Sequence, residues 1–288
     1  MRNILFIVNP VSEKLKKVEM RQLIMKNLDH DRFSFSLKYS EYPGHAYELA
    51  HTLQKKYQII VAAGGDGTVS QVSRALSGTD TCLGVIPLGS GNGLARSLKI
   101  PLNPSKAIHR INSYQVIRID TGVINGNHFI NMAGIGFDAE IAHDFAASDQ
   151  RGFITYCMKV LKKFRRYSPR NYTLVHNNQE KDTSAFMISF ANSSQYGNNA
   201  HISPRAKLDD GLIDVCMLKK FPAWTAPILA SRLFLKTIDR SDYLNILQTD
   251  RLKLKCSDSY FGHLDGEPVV LDKELDVRVI RKSLNVIV

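Results

Sequence analysis

The chain has 288 residues, 44% of them apolar and 23% charged, with 38 Lys and Arg against 27 Asp and Glu for a formal net charge of +11. That apolar share excludes a mainly disordered chain, and the absence of a Gly-X-Y period or sustained heptads excludes collagen and a long coiled coil. The positive excess favours phosphates, nucleic acid or anionic lipid as partners without choosing a fold.

Taken in chain order, Ile4-Leu5-Phe6-Ile7-Val8 is too short for the apolar core of an export signal and runs straight into Asn9-Pro10, so it predicts a first strand. A charged segment near Lys14 to Asn27, an apolar run Phe33 to Leu37 and a helix-like stretch Ala46 to Lys55 follow. Ile59 to Ala63 and Cys82 to Ile86 are near-continuous apolar runs, as expected of central strands covered on both faces. This alternation predicts an α/β domain with an open, mostly parallel sheet.

After Leu102 the pattern changes. Asn103-Pro104-Ser105 starts a short helix ending near Asn112, and strand-like runs joined by turn dipeptides take over. Asn125-Gly126 between Asp120 to Val123 and Phe129 to Met132 is a hairpin signal, because both residues tolerate positive φ. Asn177-Asn178, Asp210-Gly211 and Asp265-Gly266 are further turns, with strands near Phe186 to Ala191, Leu212 to Leu218, Leu252 to Cys256 and Leu275 to Ile280. A mainly antiparallel, β-sandwich-like second domain follows, with helices over Gly152 to Tyr167 and Ala223 to Ile238. The expected division is 1–120 and 121–280, with 281–288 able to return to the first domain. The Trp224 to Leu235 stretch, interrupted by Pro227 and Arg232, falls short of the roughly 20 apolar residues of a membrane span. Cys82, Cys157, Cys216 and Cys256 are scattered, without a CxxC pair, and read as isolated thiols of a reducing compartment.

Chemistry is expected at two glycine-rich loops. Gly64-Gly65-Asp66-Gly67-Thr68 follows one strand, and Pro87-Leu88-Gly89-Ser90-Gly91-Asn92-Gly93 follows the next. Glycines let backbone N–H groups approach a phosphate, and the helices that begin there add their positive ends. Neither loop has the GxxxxGK[ST] or GxGxxG pattern. Turns that merely need glycine are the plain alternative, weakened by the pairing of loops on successive strands. Asp66 is either a solvent-facing turn residue or a group that orients Mg²⁺ or accepts a proton. Near the other end, Asp265-Gly266-Glu267 sets two carboxylates at i and i+2, suited to proton transfer or to holding a nucleophile or Mg²⁺, although taken alone it reads first as a hairpin turn. His263 has no partner by motif.

With these residues in view, the chain resembles the bacterial diacylglycerol kinase-like lipid kinases, related to sphingosine and ceramide kinases and more distantly to NAD kinases. The resemblance spans essentially the full length: Asn9-Pro10-Val11-Ser12, Gly64 to Thr68, Asn131 to Ala139, Ser203-Pro204-Arg205-Ala206, Asp209-Asp210-Gly211 and Asp265 to Pro268. It implies a NAD kinase/diacylglycerol kinase-like fold, ATP and Mg²⁺ as cofactors, and an ATP site lined by Asn9, Ser12, Thr68, Gly89, Ser90 and Asn92. It also implies a structural Mg²⁺ at Asp210 and Asp265 as general base supported by Glu267, whereas the sphingosine kinases give the base role to the position of Asp66. Two departures stand out: Ser12-Glu13 replaces the usual Ser-Gly, and Gly89-Ser90-Gly91-Asn92 is closer to the sphingosine and ceramide kinase form.

The reading that follows is phosphoryl transfer from ATP to a lipid hydroxyl, diacylglycerol or a related glycerolipid first, with a sphingoid-base kinase, a NAD kinase and a non-catalytic nucleotide-binding protein as alternatives. Lys159, Lys162, Lys163, Arg165 and Arg166 form a basic face beside an apolar stripe of Cys157, Val160, Leu161 and Phe164, suited to an anionic membrane surface or to an ordinary domain surface. The expected location is therefore cytoplasmic, peripheral to the inner face of the membrane. No recognised nucleic-acid-binding signature occurs, so no specific nucleic acid is expected. Oligomeric state is not legible, and a homodimer stays open.

Overall fold

The computed structural model describes residues 1–10, 17–146, 163, 164, 166–256 and 260–288. The first apolar runs become strands β1 (Arg2–Val8), β2 (Phe33–Tyr39), β3 (Ile59–Gly64) and β4 (Cys82–Pro87). The segments between them become helices α1 (Lys17–Asn27), α2 (His45–Leu53) and α3 (Asp66–Leu76). Every residue of β3 and β4 is buried, which requires cover on both faces of the sheet. The two run parallel, with Ile59 opposite Cys82 and Gly64 opposite Pro87, so the loops after them leave the same edge. β1 pairs in parallel with both β2 and β3. Short helix α4 (Gly93–Ser97) follows the second glycine loop, and α5 (Pro104–Ser113) starts where the Asn103 side chain accepts from Lys106 N with proline in the first turn.

The second half is built from β5 (Val116–Ile124), β6 (Asn127–Phe129), β7 (Met132–Gly136), α6 (Phe137–Ala146), β8 (Arg170–His176), β9 (Gln179–Ala185) and β10 (Met187–Ala191). Next come β11 (Gln195–Gly197), β12 (Ala200–His201), β13 (Ile213–Leu218), β14 (Leu244–Thr249), β15 (Arg251–Cys256), β16 (Tyr260–Leu264), β17 (Glu267–Leu271) and β18 (Glu274–Ile287). Three expected turn dipeptides close hairpins with positive φ at both residues: Asn125-Gly126, Asn177-Asn178 and Asp265-Gly266. One sheet runs β14-β13-β10-β7-β16-β17. Facing it is the antiparallel end of the other, where β15 alternates exposed and buried residues. Phe129, Tyr172, Leu254 and Val277 from that sheet and Ile135, Phe190, Val215 and Leu264 from the first fill the space between them.

The chain thus has an N-terminal α/β domain with an open mixed sheet and a mainly antiparallel C-terminal sandwich. The two halves share a sheet, in the order β2-β1-β3-β4-β18-β15-β8-β9, because β18 is longer than the Leu275 to Ile280 run suggests. Its far end joins β4 in parallel at Val286 and Leu83, while its near end pairs antiparallel with β15. The helix expected over Ala223 to Ile238 is broken into a 3-10 turn (Ala223–Thr225), an α-helix (Ala226–Phe234) and a second 3-10 turn (Ile238–Arg240). Lys236 takes φ 57° and Thr237 N–H returns to Arg232 O, a left-handed stop of the helix. Of the helix expected over Gly152 to Tyr167, only its C-terminal end, from Lys163, lies within the described residues.

Candidate active site

The two glycine loops touch each other. A side chain at Gly89 would place its Cβ 2.7 Å from Gly65 Cα, so the backbones meet at a distance only glycine allows. Asp66, in the first turn of α3, fastens the second loop: its Oδ2 accepts from Asn92 N–H at 2.8 Å and its Oδ1 from Gly93 N–H at 2.6 Å. Asn92 holds the loop from within, accepting from Gly89 N–H at 3.1 Å and donating to Gly89 O at 2.7 Å. Asn9, at the end of β1, donates to Thr68 Oγ1 at 3.3 Å, which brings the first strand's exit to the same place. Ser90 is exposed beside them, whereas Ser12 and Glu13 lie outside the described residues.

The Asp265 turn arrives on these loops from the opposite half. Asp265 sits at φ 49° and its carboxylate accepts four hydrogen bonds. Ile130 N–H and the Ser70 hydroxyl donate to Oδ2 at 2.9 and 2.7 Å, and Asn131 N–H and Met132 N–H donate to Oδ1 at 2.7 and 3.1 Å. These donors match the roughly four lone-pair directions of an ionised carboxylate. Glu267 reaches α3, where Gln71 Nε2 donates to it at 2.8 Å and Arg74 pairs with it at 3.4 Å. The 64–68 and 265–267 segments therefore share one cleft.

A cavity of about 450 Å³ opens there, lined by Asp66, Asn131, Met132, Asp138, Met187, Tyr196, His263, Asp265 and Gly266. Asp138 and His263 form a pair the sequence did not assign. Nε2 of the buried His263 lies 3.2 Å from Asp138 Oδ2, and Ser189 Oγ donates to the same oxygen at 3.4 Å. His263 Nδ1 is buried without a partner among the described residues, an arrangement suited to the tautomer whose proton is on Nε2 and points at Asp138. A Cβ at Gly134 would lie 2.5 Å from both Asp138 Oδ2 and His263 Nε2, so the pair needs glycine beneath it. Asp138 stood in the quoted Asn131 to Ala139 motif without a role, and Ser70, Gln71 and Arg74 had no signal beyond their spacing on one helix.

The other expected site residues lie elsewhere. Asp210 is exposed and accepts from Leu212 N–H at 3.1 Å. Partial burial, then the neighbouring Asp214, Asp120 and Asp209, push its carboxyl above the ordinary aspartate range. As an exposed single carboxylate, Asp210 supplies only part of the octahedral oxygen shell that Mg²⁺ takes. Among the described residues no group of three or more His, Cys, Asp or Glu is arranged around a metal position, so carbonyls and water would complete the shell. Lys159, Lys162 and Arg165 lie outside the described residues; Lys163 pairs with Glu140 at 3.1 Å, and Arg166 is exposed. Phe164, the described member of the apolar stripe, is buried against Phe137, Phe186 and Phe221.

Comparison with known proteins joins both halves to one group. The family model described as the diacylglycerol kinase catalytic domain matches residues 3–124, and the YegS C-terminal NAD kinase beta sandwich-like domain matches residues 131–288. The chain is 29% identical over 215 residues to the probable lipid kinase YegS-like of Chromohalobacter salexigens, covering 73% of this chain and 69% of the relative. It is 27% identical over 276 residues to the diacylglycerol kinase of Bacillus subtilis, covering 93% and 90%. A crystal structure of a Bacillus anthracis diacylglycerol kinase has the same fold, with a TM-score of 0.76, 18% identity and coverage of 99% of this chain and 96% of that one. With a sandwich-domain match over more than half of its length and the catalytic-domain match before it, the chain belongs to the YegS/DAGK-like lipid kinase family.

Proposed function

We propose that the chain is an ATP-dependent kinase that transfers the γ-phosphoryl group to a lipid hydroxyl, with diacylglycerol or a related glycerolipid as acceptor. One observation carries this reading: the two glycine-rich loops touch at Gly65 and Gly89, and Asp66 from the first of them lines one cavity with Asp265 and Gly266, its wall including Met132 and Met187. Backbone N–H groups of Gly64, Gly65, Gly67, Ser90 and Gly91, with Asn9, Thr68, Gly89 and Asn92, are the groups assigned to the nucleotide, and Ser12 joins them by sequence. Asp66 keeps the second loop in register through its two bonds.

Asp265 is assigned the acceptor's proton. The incoming hydroxyl takes the place of Ser70 Oγ at Oδ2, while three backbone N–H groups keep the carboxylate aimed. The hydroxyl oxygen forms its bond to the γ-phosphorus, its proton passes to Asp265, and the bond to the β-phosphate oxygen breaks to leave ADP. Bound Mg²⁺ supplies neutralisation of the charge on the phosphate oxygens. Glu267 ties the turn to α3, and in the same reading Asp210 would contribute a carboxylate oxygen to a structural Mg²⁺. A lipid acceptor places the work at the cytoplasmic face of a membrane, with ATP on the same side.

A sphingoid base is the second acceptor class, favoured by Asp138. The cavity carries three carboxylates, Asp66, Asp138 and Asp265, and no Lys or Arg among its described lining, which suits an acceptor with an ammonium or a second hydroxyl. The test is transfer of label from γ-labelled ATP with Mg²⁺ to a mixed-micelle panel of diacylglycerol, monoacylglycerol and sphingoid bases, with NAD as a separate acceptor. Labelled lipid that is lost in Asp265→Asn supports the proposal, and labelled NAD without labelled lipid overturns it. Nucleotide binding with no transfer to any acceptor assigns a sensor instead. Ser70→Ala should keep kcat within about threefold, because its hydroxyl is the bond the acceptor replaces.

A further inference from the structure

The Ala226–Phe234 helix is apolar on both faces. Leu229 is buried, and Leu233 packs on the same cluster as Met132, Phe137 and Met187. The opposite face leaves Trp224 79%, Ile228 56%, Phe234 53% and Leu235 70% exposed. Trp224, Ile228, Ser231 and Leu235 follow one another at helical spacing, so the exposed residues form a stripe rather than a scatter. A helix on a water-facing surface normally carries polar residues outward, and one apolar all round is normally buried in protein or lipid.

The segment that carries the stripe is basic, with the exposed Asp242 just beyond it. Segment 219–240 contains Lys219, Lys220, Arg232, Lys236 and Arg240 against Asp239 alone. Asp239 is already paired with Arg205 at 3.1 Å, and its side chain is 14% exposed. Lys220 turns inward to the carbonyls of Phe164 and Tyr167. Lys219, Lys236 and Arg240 are exposed.

We propose that this face, Trp224, Ile228, Phe234 and Leu235 with the rim of Lys219, Arg232, Lys236 and Arg240, seats the chain on the surface of an anionic lipid bilayer. Apolar side chains enter the boundary between headgroups and acyl chains, and the basic rim meets the lipid phosphates. Met132 and Met187, which line the cavity beside Asp265, belong to the apolar cluster that Leu229 completes from the membrane side. Docking would hold the acceptor cavity near the phase where a water-insoluble acceptor is dissolved. That last consequence rests on the lipid-kinase reading; the docking itself does not.

The chain carries its own reporter, because Trp224 is its only tryptophan. The experiment titrates the full chain, without ATP, with vesicles of phosphatidylcholine alone or mixed with phosphatidylglycerol, following Trp224 emission and its quenching by brominated acyl chains. The expected result is a blue shift and quenching on mixed vesicles, weaker on phosphatidylcholine alone and weaker with added salt. The pair Ile228→Asp and Leu235→Asp should abolish the shift with the thermal midpoint retained, and Lys236→Glu should lower partitioning about fivefold or more. An unshifted spectrum on mixed vesicles overturns the proposal, as does an equal shift in the Ile228→Asp, Leu235→Asp chain. Emission already blue-shifted and shielded from iodide without lipid, in a chain that elutes as a dimer, assigns the face to a second copy and also overturns it. Vesicle binding without transfer to any lipid leaves the docking standing and removes the kinase reading. Transfer to a dispersed short-chain acceptor with no vesicle binding does the reverse.

Discussion

Two carboxylates at the cleft do similar work by different routes. Asp66 fastens backbone N–H groups 26 and 27 residues away, on the neighbouring loop of the same parallel sheet. Asp265 gathers backbone N–H groups 133 to 135 residues away and a hydroxyl 195 residues away. The first arrangement follows from the adjacency of β3 and β4, since parallel neighbours deliver their loops to one edge. The second exists only once the sandwich has placed β16 beside β7 and carried both onto α3. The glycine-loop side is therefore a local construction, and the Asp265 side is a contact between the two halves of the chain.

Replacing the carboxylates should separate the two sides. Asp265→Ala should lower kcat about a thousandfold, the middle of the range for a lost general base. It should also cost about 1–3 kcal/mol for each backbone N–H left buried without a partner, read from urea unfolding. If Asp265→Ala instead raises only the KM for ATP, the Asp265 side is a nucleotide support and the contrast fails. Gly89→Ala acts on the local side: its Cβ meets Gly65 Cα, and the strain of about 1–3 kcal/mol should raise the nucleotide dissociation constant roughly tenfold while the unfolding cooperativity stays intact.

Acid should loosen the inter-half side first. His128 joins β6 to the end of α3 through Ser77 Oγ, with its Nδ1 3.1 Å away, and it lies two residues before Ile130. Burial, then Arg74 and Arg278, hold its imidazole below the ordinary histidine range. The unfolded chain then takes up the proton at a higher pH than the folded chain. This contribution to stability is present above about pH 6.5 and is lost as pH falls from there towards the folded value. Urea midpoints at pH 7.5 and 5.5 should differ less in His128→Gln than in the unaltered chain; equal differences would remove His128 from the account. The smallest effect belongs to Arg74→Ala. Its 3.4 Å pair with Glu267 has side chains 27% and 34% exposed, so the loss should stay under about 1 kcal/mol, with kcat changed little.

The local side was legible and the distant side only in part. Gly64 to Thr68 and Gly89 to Asn92 announce themselves because glycine is the residue that allows close backbone approach, and both follow apolar runs that must be strands. Asn125-Gly126 and Asp265-Gly266 are legible for the same reason, since residues that accept positive φ mark turns whatever surrounds them. The Asp138 and His263 pair spans 125 residues, and neither side chain has a local feature that names the other. Ser70, Gln71 and Arg74 are ordinary helix residues until the Asp265 turn lies across them. The broken end of the Trp224 stretch was missed because Lys236, a residue with no special tolerance of positive φ, takes the left-handed position.

By itself the sequence determined the order of strands and helices, the places where the chain must turn, and the presence of two phosphate-suited loops, all governed by side-chain period and by residues that relax backbone sterics. Tertiary structure alone decided that β18 joins both halves in one sheet, that Asp265 is met by Ile130 to Met132 and Ser70, and that Asp138 has His263. Those contacts depend on register between strands far apart in the chain. Register is set by how two apolar faces pack, which no short stretch of residues records.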